Sequence, residues 1–307
     1  MKIEEIKEIL SRNSQTEELQ KLSTFLDDTV NFGTHLLKWE IEKNLARKEN
    51  FVYQTFFKNI LENADGISIL IKYSSVENTK LLFRVLIENI LNLEYLLEKD
   101  SKKRAIAYIV CTLYKELNFF KKMDPQTEVG KEFRAKLKND RVFKNISIPF
   151  SERIKQGVET NIEIPEFESA KKEYQRTSKS RKNPNWFSLY DGPKDVEQLA
   201  KHLSLYYLYE GFYRGYSENI HGSNILKNNL IETENGTRIG VMRENQFANN
   251  ISLEVLDCLS FTYHNFVQKR IPEKNEILEK WLIDFNRTYD SLKQSQLPTL
   301  NLRNSWS

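Results

Sequence analysis

Chain breakers are scarce: ten glycines and seven prolines serve 307 residues. A many-stranded β architecture needs frequent tight turns, so this scarcity argues against one and favours long helices. Cysteine is rarer still. Cys111 and Cys258 each sit among apolar residues in helix-patterned segments. They read as small buried hydrophobes of a reducing compartment, not as a disulfide framework. No run approaches the roughly 18 apolar residues that a membrane span needs. The start, Met1-Lys2-Ile3-Glu4-Glu5-Ile6, lacks the apolar stretch of a secretion signal. The expectation is a cytoplasmic chain with no membrane partner.

Familiar site motifs are missing as well. None of the four histidines, His35, His202, His221 and His264, has a second His or Cys at a ligand spacing. Carboxylates are plentiful, but nothing in their spacing points to a metal. There is no GxxxxGK[ST] loop, no GxGxxG after a strand and no GxSxG elbow. Neither a metal nor a cofactor is expected.

What is present is an aromatic, balanced-charge chain. Apolar residues make up 39% and charged residues 29%, the proportions of a globular protein. With 18 Phe, 14 Tyr and 4 Trp, the core must lean on aromatics. A net charge of +3, from 46 basic and 43 acidic side chains, is too small to imply nucleic-acid binding by itself.

Apolar spacing predicts a short first helix through Ile3, Ile6, Ile9 and Leu10. A longer one follows, with Ser14 and Glu17 as its capping box and Leu19, Leu22, Leu26, Val30, Leu36, Leu37 and Ile41 inward. Helical character continues over 50–73, where Asp65-Gly66 suggests a break. The clearest pattern covers 77–98, with Leu81, Leu82, Val85, Leu86, Ile90, Leu93, Leu96 and Leu97 on one broad face. A helix over 101–122 stops before Asp124-Pro125. Residues 124–194 hold five of the prolines and read as an insert or lid. One long helix is expected from Lys194 to His221, then a hairpin signalled by Asn235-Gly236, then helices over 246–269 and 274–293. The fold class is all-α, a multi-helix bundle with one small β-hairpin insertion. The expected divisions are an N-terminal helical segment 1–48, a domain 49–293 with the insert at about 124–194, and a loose tail 294–307.

The helix ending in Tyr213-Arg214-Gly215-Tyr216-Ser217-Glu218-Asn219-Ile220-His221-Gly222 carries the most chemistry. At about 100° per residue, Glu210, Arg214, Ser217 and His221 share one face. Two readings are open. In the structural one, Glu210 pairs with Arg214 at i,i+4, and His221-Gly222 caps the helix end. In the chemical one, Arg214 forks onto a phosphate while His221, about 10 Å further along the axis, moves a proton near neutral pH. A two-fold dimer would bring two copies of each group to one phosphate. Arg84 and Glu88 carry the same ambiguity, as a helix ion pair or as supports for that face. The run Arg176, Lys179, Arg181 and Lys182, followed by Trp186, reads either as a solvated basic loop or as a surface that meets an RNA backbone and stacks a base.

The spacing Arg214-x6-His221 at a helix end resembles the Arg-x(4 to 6)-His signature of the HEPN superfamily, helical nucleotide-binding and RNase domains of bacterial toxin–antitoxin and antiphage systems. More closely, FRVLIEN (83–89), NPNWFSLYDGPKDVEQLAKHL (183–203) and YLYEGFYRGYSENIHGS (207–223) resemble a bacterial family catalogued as a domain of unknown function. That likeness extends over about 50–270. Its members share an Arg-x3-Glu helix, a Trp-containing loop and a Tyr-rich helix ending in Ser-x3-His-Gly. The resemblance implicates Arg84, Glu88, Trp186, Tyr213, Arg214, Ser217 and His221. One departure stands out: Gly215 follows Arg214 where active HEPN members commonly carry a polar residue, so Ser217 or Glu218 would take that role.

The function expected from this pattern is metal-independent RNA cleavage by Arg214, His221 and Ser217, with Glu210, Arg84, Glu88 and Tyr213 supporting. The expected partners are a second copy of the chain, RNA and a neutralising or sensor protein. The alternative is a non-catalytic helical module that binds protein or nucleic acid.

Overall fold

Thr16 starts the first long helix, its hydroxyl oxygen accepting the Leu19 N–H at 3.2 Å. The backbone at Thr16 is extended and Glu17 and Glu18 occupy the first turn, which combines an N-cap with charges that suit the helix dipole. The computed structural model describes residues 6–7, 9–10, 16–44, 47, 49–138, 140–141, 148–220, 230–233 and 236–294. Ser14, the expected cap, and Ile3 of the expected first helix lie outside them.

In chain order the helices are α1 Glu17–Lys43, α2 Asn50–Lys72, α3 Val76–Glu98, α4 Ser101–Met123, α5 Glu128–Leu137, α6 Glu152–Ile162, α7 Glu168–Ser180, α8 Val196–His202, α9 Gly215–Ile220, α10 Ala248–Arg270 and α11 Asn275–Gln294. A π-helical segment, Leu208–Arg214, leads into α9. Strands β1 Leu230–Thr233 and β2 Gly236–Ile239 form an antiparallel hairpin. The chain is thus all-α with one small hairpin, as its composition and periodicity imply. No described helix is long and apolar enough to cross a membrane.

Several local expectations need correction. Gly236 pairs with Thr233 and opens β2 with a φ of +114°, so it is a strand residue and not the second turn residue. Asn235 lies outside the described residues. The helix does not break at Asp65-Gly66; α2 runs through. Gly66 instead leaves room for α3, since a Cβ there would stand 2.8 Å from Leu82 Cδ1. On α3 the buried face is rotated from the one expected. Phe83, Leu86, Ile87 and Ile90 are fully buried, whereas Leu81 and Val85 are about two-fifths exposed. Phe83 draws the helix round by packing against Phe212 and Tyr216, with ring centroids 5.4 and 5.9 Å away.

The chain divides into two compact units, Met1–Leu97 with Ala200–Ser307, and Glu98–Leu199. The first is built on aromatic contacts among α1, α2, α10 and α11. Phe57 stacks on Phe266 at 4.1 Å, Phe32 on Trp281 at 4.3 Å, and Trp281 meets Phe285 at 4.9 Å. Gly33 admits the Tyr263 hydroxyl, which donates to the Thr29 carbonyl at 3.0 Å. Wholly buried Glu40 on α1 accepts from Arg270 Nε on α10 at 3.0 Å. That guanidinium also donates to Asn50 and lies 4.3 Å from the Tyr53 ring centre.

The second unit gathers around α4. Leu117 packs with Val158 and Ile162 of α6, and Tyr114 stacks on Tyr174 of α7 at 4.0 Å. The unit begins at Glu98, so α4 belongs with the segment that the sequence marks off at residue 124.

Candidate functional site

The stretch read as one helix from Lys194 to His221 is three pieces. α8 stops at His202 because Ser204 turns left-handed at φ +58°. The Ser204 N–H then donates to Lys201 and the Leu205 N–H reaches back to Ala200 at 2.8 Å, as in a Schellman cap. The chain restarts at Tyr206 and widens into the π-helical segment before tightening into α9. π-Helical turns bond i to i+5, are rare, and often mark functional positions. They also change the angle per residue, so a face drawn at 100° steps does not survive across Leu208–Arg214.

The consequence is a division of the expected face. Tyr213 and Ser217 turn toward α3. The Arg84 Nε donates to Ser217 Oγ at 2.8 Å and its Nη2 to the Tyr213 hydroxyl at 2.7 Å. Ser217 in turn donates to the Tyr213 carbonyl at 2.6 Å. The guanidinium carbon lies 4.1 Å from the Tyr213 ring centre, and the Tyr213 hydroxyl also faces Glu88 Oε2 at 3.2 Å. Arg84 and Glu88 therefore meet on Tyr213, in place of the simple helix-surface pair. Glu210 and Arg214 stay on the solvent side as an i,i+4 pair at 3.3 Å, with Arg214 61% exposed. Tyr206 adds its hydroxyl to Glu210 at 3.2 Å. A Cβ at Gly215 would meet nothing within 4 Å, so the space beside Gly215 is open. His221 lies outside the described residues.

Electrostatics follow this division. Burial first, then the Glu88 carboxylate, pushes the Tyr213 phenol up to about 12, against the pull of Arg84. Tyr213 is thus held neutral as a donor to Glu88 and acceptor from Arg84. Behind α9 is a group that the sequence reading missed. The Glu254 Oε2 on α10 is buried with no hydrogen-bond partner among the described residues, and desolvation, then Asp257, raises its carboxyl to about 7. Burial and then the Glu254 charge also raise the Tyr216 phenol. The available signal was Glu254 between Leu253 and Val255, with Ile251, Leu256, Cys258 and Leu259 nearby. For the π-helical segment it was Gly211 and Gly215, two weak helix formers four residues apart.

The residues read as nucleic-acid-binding sit in the second unit, in surroundings that differ from one to the next. Trp186 is buried, edge-on to Tyr108 at 5.8 Å and Phe187 at 5.9 Å, and offers no face to a base. The basic run is helical through Ser180 and not a loop. Arg176 is engaged by Glu173 at 2.7 Å and Asp191 at 2.6 Å. Arg181 donates to the Lys194 carbonyl and to Ser188 Oγ. Lys179 and Lys182 are exposed. The two arginines are thus tied to neighbouring groups, and the two lysines face solvent.

A family model described as "Family of unknown function (DUF5677)" matches residues 50–238. No curated protein and no solved structure matches the chain. The match takes in the Arg84–Glu88 helix, the Trp186 segment and the Tyr213–Ser217 helix, and more than half of the chain. The chain belongs to that family.

Proposed function

We propose that this DUF5677 member is a HEPN-like, metal-independent endoribonuclease of a bacterial stress or antiphage defence system, acting in the cytoplasm as a homodimer. The observation that carries the reading is the placement of Arg214. It is 61% exposed and held by Glu210, on a π-helical turn whose inner side is fixed by Arg84 through Tyr213 and Ser217. A guanidinium on so constrained a support is suited to hold a phosphodiester and balance charge that grows on it.

In the reaction, the ribose 2′-oxygen attacks phosphorus while the bond to the 5′-oxygen breaks. One histidine takes the 2′-hydroxyl proton and another protonates the departing 5′-oxygen, leaving a 2′,3′-cyclic phosphate and a 5′-hydroxyl. His221 of each subunit fills one role, which is why the reading requires two copies. Ser217 orients the helix through its bonds to Arg84 and Tyr213, and Glu88 fixes the Tyr213 hydroxyl. Glu210 holds Arg214 until phosphate displaces it. Release of Arg214 is the step on which a neutralising or sensor protein would act.

A second reading, a non-catalytic helical module, draws on a specific observation. Glu210 already pairs with Arg214, and Tyr207 beside them is 73% exposed, a combination that also suits a protein interface. Expression of wild type beside Arg214→Ala and His221→Ala separates the two. Slowed growth and fragmented RNA with wild type alone support the enzyme. Healthy cells and intact RNA for all three, under phage challenge as well, contradict it.

A further inference from the structure

We infer that the unit Glu98–Leu199 binds a small organic phosphate of mononucleotide size, in a cavity between the first turns of α4 and α7. The cavity has a volume of about 300 Å³ and is lined by Lys102, Lys103, Ile106, Glu166, Ser169, Ala170 and Tyr190. That volume is at the lower end for small-molecule sites, and its apolar floor with a few polar groups is their usual composition.

The charges around it are arranged against the helix and in favour of an anion. α4 has Asp100 as its N-cap, with no side-chain capping bond, then opens with Ser101-Lys102-Lys103 and no acidic residue in its first turn. Cations at a helix N-terminus face the positive end of the dipole, a position that suits a bound anion instead. α7 brings its own first turn, with Ser169 and Ala170, to the same cavity. Glu166 balances Lys102 at 2.9 Å, and Glu168 is turned to Lys171 and Lys172. Among the described residues Lys103 has no such carboxylate: its Nζ lies 3.8 Å from the centre of the Tyr190 ring. The Ser169 and Tyr190 hydroxyls stand 3.4 Å apart, two neutral donors beside that ammonium.

Tyr190 is held in place for this. Tyr190 and Asp191 are consecutive non-glycine residues with φ of +58°, a conformation that persists only where surroundings enforce it. Glu173 supplies the enforcement by accepting the Tyr190 N–H at 2.7 Å, while Arg176 bridges Glu173 and Asp191. The phosphoryl group meets Lys103, Lys102 and the hydroxyls, and the body of the ligand lies over Ile106, Ala170 and the Tyr190 ring.

Calorimetric titration of the full chain with AMP, ribose 5-phosphate, adenosine and inorganic phosphate tests the assignment. AMP or ribose 5-phosphate should bind at least about tenfold more tightly than phosphate or adenosine. Lys103→Ala should weaken that binding by about tenfold or more. Ile106→Trp, which fills the floor and leaves every charge, should abolish it, with circular dichroism confirming that the helices remain. Absence of binding by both organic phosphates at about 1 mM, binding no tighter than phosphate alone, or affinity unchanged in Lys103→Ala would each overturn the site. RNA integrity plays no part in this readout, so its failure is separate from that of the nuclease reading.

Discussion

Arg84 Nε and Ser217 Oγ are 133 positions apart in the chain and 2.8 Å apart in space. This contact, with its branch to Tyr213, ties α3 to the π-helical segment and α9. It brings the Arg84-x3-Glu88 helix and the Tyr-rich helix that carries Ser217 together in this chain. The two motifs are halves of one clamp.

If the clamp is a unit, its members should couple. Arg84→Met and Ser217→Ala in a double-mutant cycle are expected to show an interaction of about 1.5–3 kcal/mol, as for a hydrogen bond to a charged donor. Urea unfolding of the four proteins measures it. Additive losses would mean that the contact contributes no stability of its own.

Tyr213 gives the clamp a spectroscopic handle. Its phenol should ionise near pH 12, read as the 295 nm absorbance lost in Tyr213→Phe. Glu88→Gln removes a nearby negative charge and should bring that ionisation down toward the ordinary tyrosine range. Since the folded phenol titrates above the unfolded one, its contribution to stability is intact below about pH 10 and is lost as pH rises through 12.

The fold was legible because its helices follow periodicity and their ends follow local chemistry. α4 stops at Asp124-Pro125, where proline removes a donor, and α10 and α11 lie within a residue or two of their expected limits. Ser204 defeated the same reasoning. A serine in a left-handed C-cap looks like any polar helix residue until the Leu205 N–H is seen to reach Ala200. The site was half legible. Arg84, Glu88, Tyr213, Ser217, Glu210 and Arg214 were all named, but their grouping was not. The π-helical turn sends Ser217 inward with Tyr213 and leaves Arg214 outside with Glu210. Burial is what spacing cannot report for Trp186, and the carboxylates that engage exposed Arg176 come from Glu173 and from distant Asp191.

Glu94 predicts an unusual pH response. It is 9% exposed, its Oε1 has no partner among the described residues, and Asn265 donates to Oε2 at 2.9 Å. Desolvation lifts its carboxyl to about 7, against the weaker pull of Asn265 and Lys269. The folded state therefore keeps a proton that the unfolded state gives up near pH 4 to 5. This contribution is full below that range, declines as pH rises, and is gone above about 7. Glu94→Gln retains an acceptor for Asn265 and removes the charge. It should raise stability at pH 8 by on the order of 2 kcal/mol and leave it unchanged at pH 4, in urea unfolding at the two values.

The Glu40–Arg270 pair should respond in the opposite sense to truncation. Glu40→Ala strands a guanidinium that is 16% exposed and should cost about 3–5 kcal/mol. Replacing both partners, Glu40→Leu with Arg270→Met, should recover most of the loss. Thermal unfolding of the single and double variants distinguishes a stranded charge from a lost attraction.

The nuclease reading is tested most directly on the ends of the RNA. Purified chain incubated with a defined single-stranded RNA in excess chelator should release fragments carrying 2′,3′-cyclic phosphate and 5′-hydroxyl termini, and Arg214→Ala and His221→Ala should release none. Intact RNA with wild type, or the same fragments with both variants, would contradict it.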